Sequence, residues 1–195
     1  MHLKVEKNKS INLSQKASKM KNFKELLQDI KVFIFDVDGV LSSNVMNLNS
    51  ETGLPIRTGN VKDGYALHLA SKLGYKIAII TGANTEYLRS RFAALGITDD
   101  IYLGCHNKIV EFTALMEKYN LQPENVLYMG DDIPDLKVMK MVGVPCCPAD
   151  AAPEIKEISK YISHSKGGEG CARDVIEQVL KAQDNWLRND EATIW

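Results

Sequence analysis

The sequence predicts a three-layer α/β fold, a parallel sheet with helices on both faces. Short apolar runs suited to buried strands alternate with helical patterns of roughly 10 to 15 residues, the order that parallel crossovers require. Several of these runs end in aspartate or threonine, polar groups that belong at the rim of a sheet and not inside it. The chain has 195 residues, 45% hydrophobic and 25% charged, which suits one well-buried domain without internal repeats.

Each element follows from its residues. Residues 22–29 (NFKELLQD) read as a short amphipathic helix or an approach to the first strand, IKVFIFDVD at 30–38. Residues 44–61 alternate apolar and polar positions on both sides of NSETG, whose Asn, Ser and Gly favour turns, so they predict a β-hairpin. Asp63 is placed to cap the next helix, which carries Tyr65, Leu67, Leu69 and Leu73 and stops at Gly74. KIAIITG (76–82) is a second strand, and the helix after it ends at Gly96. DIYLGC is a short third strand, followed by a helix with Ile109, Phe112, Leu115 and Met116 on one stripe. Pro123 opens a turn into the fourth strand, NVLYMGDD, and IPDLKVMKMVG is helical. VPCCPAD and YISHS supply a fifth and a sixth strand, and residues 169–187 close the fold as a helix.

Charge narrows the function. A net charge of -1 argues against binding nucleic acid through bulk charge. Residues 1–28 hold seven lysines against Glu6 and Glu25, with no apolar run of signal-peptide length, and read as a solvated basic extension. No run of about 18 apolar residues predicts a membrane span. Cys105, Cys146, Cys147 and Cys171 show no metal-ligand spacing, so reduced thiols in a cytoplasmic protein are expected.

The chemistry gathers at one edge. Ligands of open parallel sheets sit beyond the carboxyl ends of the strands. There the first strand delivers Asp36 and Asp38, the second Thr81, the fourth Asp131, Asp132 and Asp135, with Lys108 opening a helix. So many carboxylates cannot ionise side by side without a cation, and an all-oxygen set suits Mg2+, which takes phosphate as a further partner. Lysine, a threonine hydroxyl and backbone N–H groups then hold phosphoryl oxygens. Asp36 is placed to attack phosphorus, and Asp38, on the same side of an extended chain, to act as general acid and base. His2, His68, His106 and His164 form no pair with a serine or cysteine nucleophile.

DVDGV, the strand-terminal Thr81, Lys108 and GDDIPD match in order and spacing the four motifs of the haloacid dehalogenase superfamily, and the chain resembles it over about one hundred residues. The resemblance implies a Rossmann-like core over 29–182, a tail at 183–195, and metal ligation by the carboxylates of Asp36 and Asp131 and the carbonyl of Asp38. Asp132 and Asp135 stand in support. The gaps between motifs leave room for the hairpin flap but for no cap domain. Residues 30–182 are similar to the capless 3-deoxy-D-manno-octulosonate 8-phosphate phosphatases through DVDGVL, GNVKDGYAL, IITG, LGI, PENVLYMGDDIPD and GGEGCARDVIEQVL. That likeness implies Mg2+ as cofactor, a phosphorylated keto-deoxy sugar acid as substrate, lipopolysaccharide core synthesis, and a homotetramer. In that assembly hairpins meet at the centre and a neighbour's C-terminal segment nears the site.

By the same likeness Asn60, Val61, Lys62, Asp63, Gly64, His68, Arg91 and Lys108 contact substrate. The chain departs from the family at Ala83, Lys62 and His68, where relatives usually carry arginine, whose bidentate grip on a carboxylate these residues cannot reproduce. A nonulosonate 9-phosphate phosphatase and a non-catalytic oligomerisation module are the alternatives.

Overall fold

A computed structural model describes residues 22–188. The basic stretch up to residue 21 and the tail from residue 189 lie outside the described residues. Helix α1 (Phe23–Leu26) opens with Asn22 and Glu25 in a reciprocal capping box. A single 3-10 turn, Leu27–Asp29, follows and buries Leu27 in the core. Residues 22–28, assigned from sequence to the solvated extension, are therefore part of the folded unit, because Leu27 has apolar surface to bury.

Six strands form one parallel sheet: β1 (Val32–Phe35), β4 (Lys76–Ile80), β5 (Ile101–Tyr102), β6 (Val126–Met129), β7 (Val144–Cys147) and β8 (Tyr161–Ile162). Their order across the sheet is β5-β4-β1-β6-β7-β8. The chain therefore winds one way from β1 and then crosses back to its other side. The switch point lies between β1 and its neighbours β4 and β6, where such sheets bind ligands. In β1, Phe33 and Phe35 face a core layer shared with α2 (Val61–Lys72), α3 (Tyr87–Ala93) and α7 (Cys171–Ala182). Val32 and Ile34 face the other layer, with α4 (Lys108–Lys118), α5 (Leu136–Met139) and α6 (Pro153–Ile158). All four β1 residues are buried, which explains a strand that reads as a continuous apolar run.

The hairpin is present but short. β2 (Asn47–Leu48) and β3 (Pro55–Ile56) pair antiparallel over two residues each, closed by a turn in which the Asn49 carboxamide oxygen accepts from Glu51 N and Thr52 N. Residues 57–60 continue as a loop into α2. The α2 cap is Asn60, whose Oδ1 accepts from Lys62 N and Asp63 N; Asp63 lies inside the first turn. That corrects the expected cap. Asp63 instead reaches α7, where its Oδ1 accepts from Arg173 N at 2.6 Å.

The glycine segment before α7 packs on the chain's own backbone. A Cβ on Gly167 would stand 2.0 Å from the Gly39 carbonyl oxygen. Gly168 N donates to Val40 O, and Cys171 and Ala172 are fully buried. The close approach of this segment is made to the loop after β1.

Candidate active site

The carboxyl ends of β1 and β6 lie side by side, with Asp36 N donating to Met129 O. Around them Asp36, Asp131 and Asp135 bring carboxylate oxygens within 4.8 Å of one another. Lys108, the first residue of α4, is buried, and its Nζ stands 2.7 Å from Asp36 Oδ2 and 2.7 Å from Asp135 Oδ1. Asp36 Oδ1 accepts from Val37 N at 2.7 Å. Gly39 is required here, since a Cβ would stand 2.0 Å from Asp131 Oδ2.

Asp135 is held by three hydrogen bonds. Its Oδ1 also accepts from the Tyr128 hydroxyl at 2.6 Å, and its Oδ2 accepts from Asp131 N at 3.2 Å. It holds the β6 end and Lys108 in place and has little capacity left for a metal, in keeping with a supporting position. Asp132 is exposed and caps the 3-10 turn Ile133–Asp135 through Ile133 N. It lies outside the cluster.

The electrostatics call for a cation. Three carboxylates against one ammonium leave two negative charges in excess. Burial, then the Asp135 charge, raises Asp36 to about 6 against the opposing pull of Lys108. Burial and the neighbouring Asp36, Asp135 and Asp132 raise Asp131 to about 7. Burial opposes the charge on Lys108, yet Asp36 and Asp135 hold its pKa above the usual lysine value. A hard divalent cation held by Asp36 and Asp131 would relieve that repulsion, and the all-oxygen donor set fits Mg2+.

Thr81 is buried at the end of β4; its Oγ1 accepts from Ala83 N at 3.1 Å, which shapes the turn beyond the strand. Asp38 differs from Asp36. Its carboxylate is outside the cluster and pairs with Arg57, Nε to Oδ1 at 2.7 Å and Nη2 to Oδ2 at 2.8 Å. Arg57 was not singled out from sequence, nor was Tyr128, which reads as an ordinary core residue of its strand.

The expected substrate contacts divide. Asn60, Asp63, Gly64 and Arg91 line a cavity of about 180 Å3 together with Arg57, although its wall is mainly apolar. Asn60 caps α2 and Asp63 holds α7, so both already have structural partners. Val61 is 76% exposed. Two of the residues lie away from this cavity. Lys62 lines a separate depression with His164 and Arg173, and His68 directs Nδ1 to Leu95 O at 3.3 Å, a contact between α2 and the end of α3. Helical spacing carries both side chains away from the cavity.

Residues 99–174 match the family model of the haloacid dehalogenase-like hydrolases. Over 156 residues the chain is 39% identical to the 3-deoxy-D-manno-octulosonate 8-phosphate phosphatase of Salmonella typhi, covering 80% of this chain and 82% of that protein. The chain belongs to the 3-deoxy-D-manno-octulosonate 8-phosphate phosphatase family. A crystal structure of the Yersinia pestis phosphatase superposes with a TM-score of 0.79 at 36% identity, covering 83% of this chain and 86% of that one. The Moraxella catarrhalis phosphatase, crystallised with a magnesium ion, a phosphate ion and KDO, gives a TM-score of 0.78 at 34% identity over 83% and 92% of the two chains. Among the described residues no helix is long and apolar enough to cross a membrane.

Proposed function

We propose that this protein hydrolyses 3-deoxy-D-manno-octulosonate 8-phosphate to the free sugar acid and phosphate, with Mg2+, in the cytoplasm, as a step toward the lipopolysaccharide core. The observation that carries the chemistry is the Asp36, Asp131 and Asp135 cluster around Lys108 at the switch point of the sheet. Family membership carries the substrate.

Asp36 Oδ attacks phosphorus as the bond from phosphorus to the sugar oxygen breaks, giving an aspartyl phosphate. Asp38 passes a proton to the departing oxygen. Water then attacks the same phosphorus, Asp38 takes the proton, and the Asp36 carboxylate is released with inorganic phosphate. Lys108 and Thr81 hold phosphoryl oxygens. Asp36, Asp131 and the Asp38 carbonyl would hold the metal, whose positive charge would offset the negative charges of the phosphoryl group and the nucleophile.

A nonulosonate 9-phosphate, an ester of the same class, is the alternative substrate. The exposed hairpin supports a closed homo-oligomer, a tetramer in our reading, since Val45, Leu48 and Leu54 are 73%, 63% and 57% exposed. Phosphate release from both sugar esters, with and without Mg2+, tests the proposal: the octulosonate ester should have the higher kcat/KM, and a chelator should abolish both. Metal-independent turnover would refute it.

A further inference from the structure

Asp36 and Asp38 are the same residue type two positions apart, and the mechanism gives them opposite tasks. What separates them in the fold is the cation each one meets. Asp36 meets Lys108 inside the carboxylate cluster, whereas Asp38 meets a planar guanidinium that takes both its oxygens at 2.7 and 2.8 Å. Arg57 is itself fixed: its side chain is 7% exposed, and Nη1 donates to Thr85 Oγ1 at 3.2 Å. It also shares a hydrogen bond with Tyr87. Arg57 is thus anchored to the loop before α3 and to α3 itself, while its backbone follows directly from β3.

We infer that Arg57 is a positioning residue that keeps the Asp38 carboxylate turned away from the metal cluster and set for proton transfer. The inference rests on the reading of the site given above. A bidentate fork fixes both the direction and the plane of a carboxylate, which a single ammonium does not. Without it, a fourth carboxylate at this edge is free to turn toward the cation that Asp36 and Asp131 hold, and proton delivery to the sugar oxygen is lost. Since Arg57 lies just past the hairpin, the segment that carries the apolar flap also sets the acid.

The test compares Arg57→Met and Arg57→Lys with the parent on two esters, in Mg2+, with thermal melting as a check on folding. Octulosonate 8-phosphate has an alkoxide leaving group that needs a proton; 4-nitrophenyl phosphate has one that does not. Arg57→Met should lose about 10- to 100-fold in kcat on the sugar ester, part of what general acid–base catalysis supplies, with KM within about threefold. Its first burst of nitrophenolate should stay within about threefold of the parent, followed by slow turnover as the aspartyl phosphate waits for a base. Arg57→Lys, keeping the charge without the fork, should fall between Arg57→Met and the parent.

Equal loss in the first step with both esters, a rise in KM for the sugar ester at unchanged kcat, or parent-like kinetics would each overturn the inference. A parent inactive on both esters contradicts the phosphatase reading and this inference together. A parent active on the aryl ester but not on the octulosonate ester contradicts only the substrate, and the comparison then runs on an alkyl phosphate that it accepts.

Discussion

The floor and the roof of the site are built differently. The floor, Asp36, Lys108, Asp135 and Tyr128, sits on the central strands and just beyond them, in the 3-10 turn after β6 and at the start of a core helix, with Lys108, Asp135 and Tyr128 each 4% exposed or less. The roof, residues 44–61, has two strands of two residues each and a row of exposed apolar side chains. A hairpin of that size is marginal in water unless something packs on it. The proposed chemistry therefore rests on the buried layer, and the proposed assembly on the layer that leaves apolar side chains exposed. Arg57 is where they join.

The contrast breaks most readily at the floor. Asp36→Asn should reduce turnover by at least about 1000-fold, since an amide is a poor nucleophile and a weaker metal ligand, while circular dichroism stays native. Near-parent turnover by this variant would remove the aspartyl phosphate.

Lys108→Met should be the costliest change to stability. It leaves Asp36 and Asp135 buried without their ammonium, a loss of about 3–5 kcal/mol by urea unfolding in metal-free buffer. Mg2+ should restore part of it, because the cation binds the folded cluster. Loss of stability that is indifferent to Mg2+ would place the cation elsewhere.

Asp63 sharpens the comparison from beside the roof. Burial raises its carboxyl from 3.8 to about 6, and Oδ2 has no hydrogen-bond partner. Between those values the folded protein binds more protons than the unfolded chain, so this contribution to stability falls as pH rises and is absent above about pH 6. Asp63→Asn keeps an acceptor for Arg173 N and carries no charge. Relative to the parent it should gain roughly 1–3 kcal/mol above pH 6.5 and little below pH 4, read from thermal melts across that range. A gain of equal size at both ends would show that charge is not the cause.

The smallest effect on turnover belongs to the flap. Paired Leu48→Lys and Ile56→Lys changes should lower the mass seen by light scattering, with kcat falling only several-fold because the floor is untouched. An unchanged mass would deny the hairpin a role in assembly.

Much of this was legible in the residues, and the physical reason is periodicity plus position. The central strands were found because they are apolar enough to be buried on both faces, as with Val32–Phe35, Val126–Met129 and Val144–Cys147. Asp36, Lys108, Asp131 and Asp135 were found because the ends of such strands converge. Arg57 was not, since its partner depends on how a loop folds back over 19 residues. Asn60 and Asp63 are both good caps three positions apart, and only the packing of α7 decides which one serves α2. Lys62 and His68 were carried over by motif, and their helix turns them elsewhere.

The central claim is that Asp36 holds the phosphoryl group between the two half-reactions. Quenching the enzyme during turnover of octulosonate 8-phosphate with borohydride, then mapping peptides by mass spectrometry, tests it directly. An aspartyl phosphate at Asp36 is reduced to homoserine, so the account predicts homoserine at position 36 only when both Mg2+ and substrate are present. Turnover with aspartate intact at 36, or homoserine at 131 instead, would contradict it.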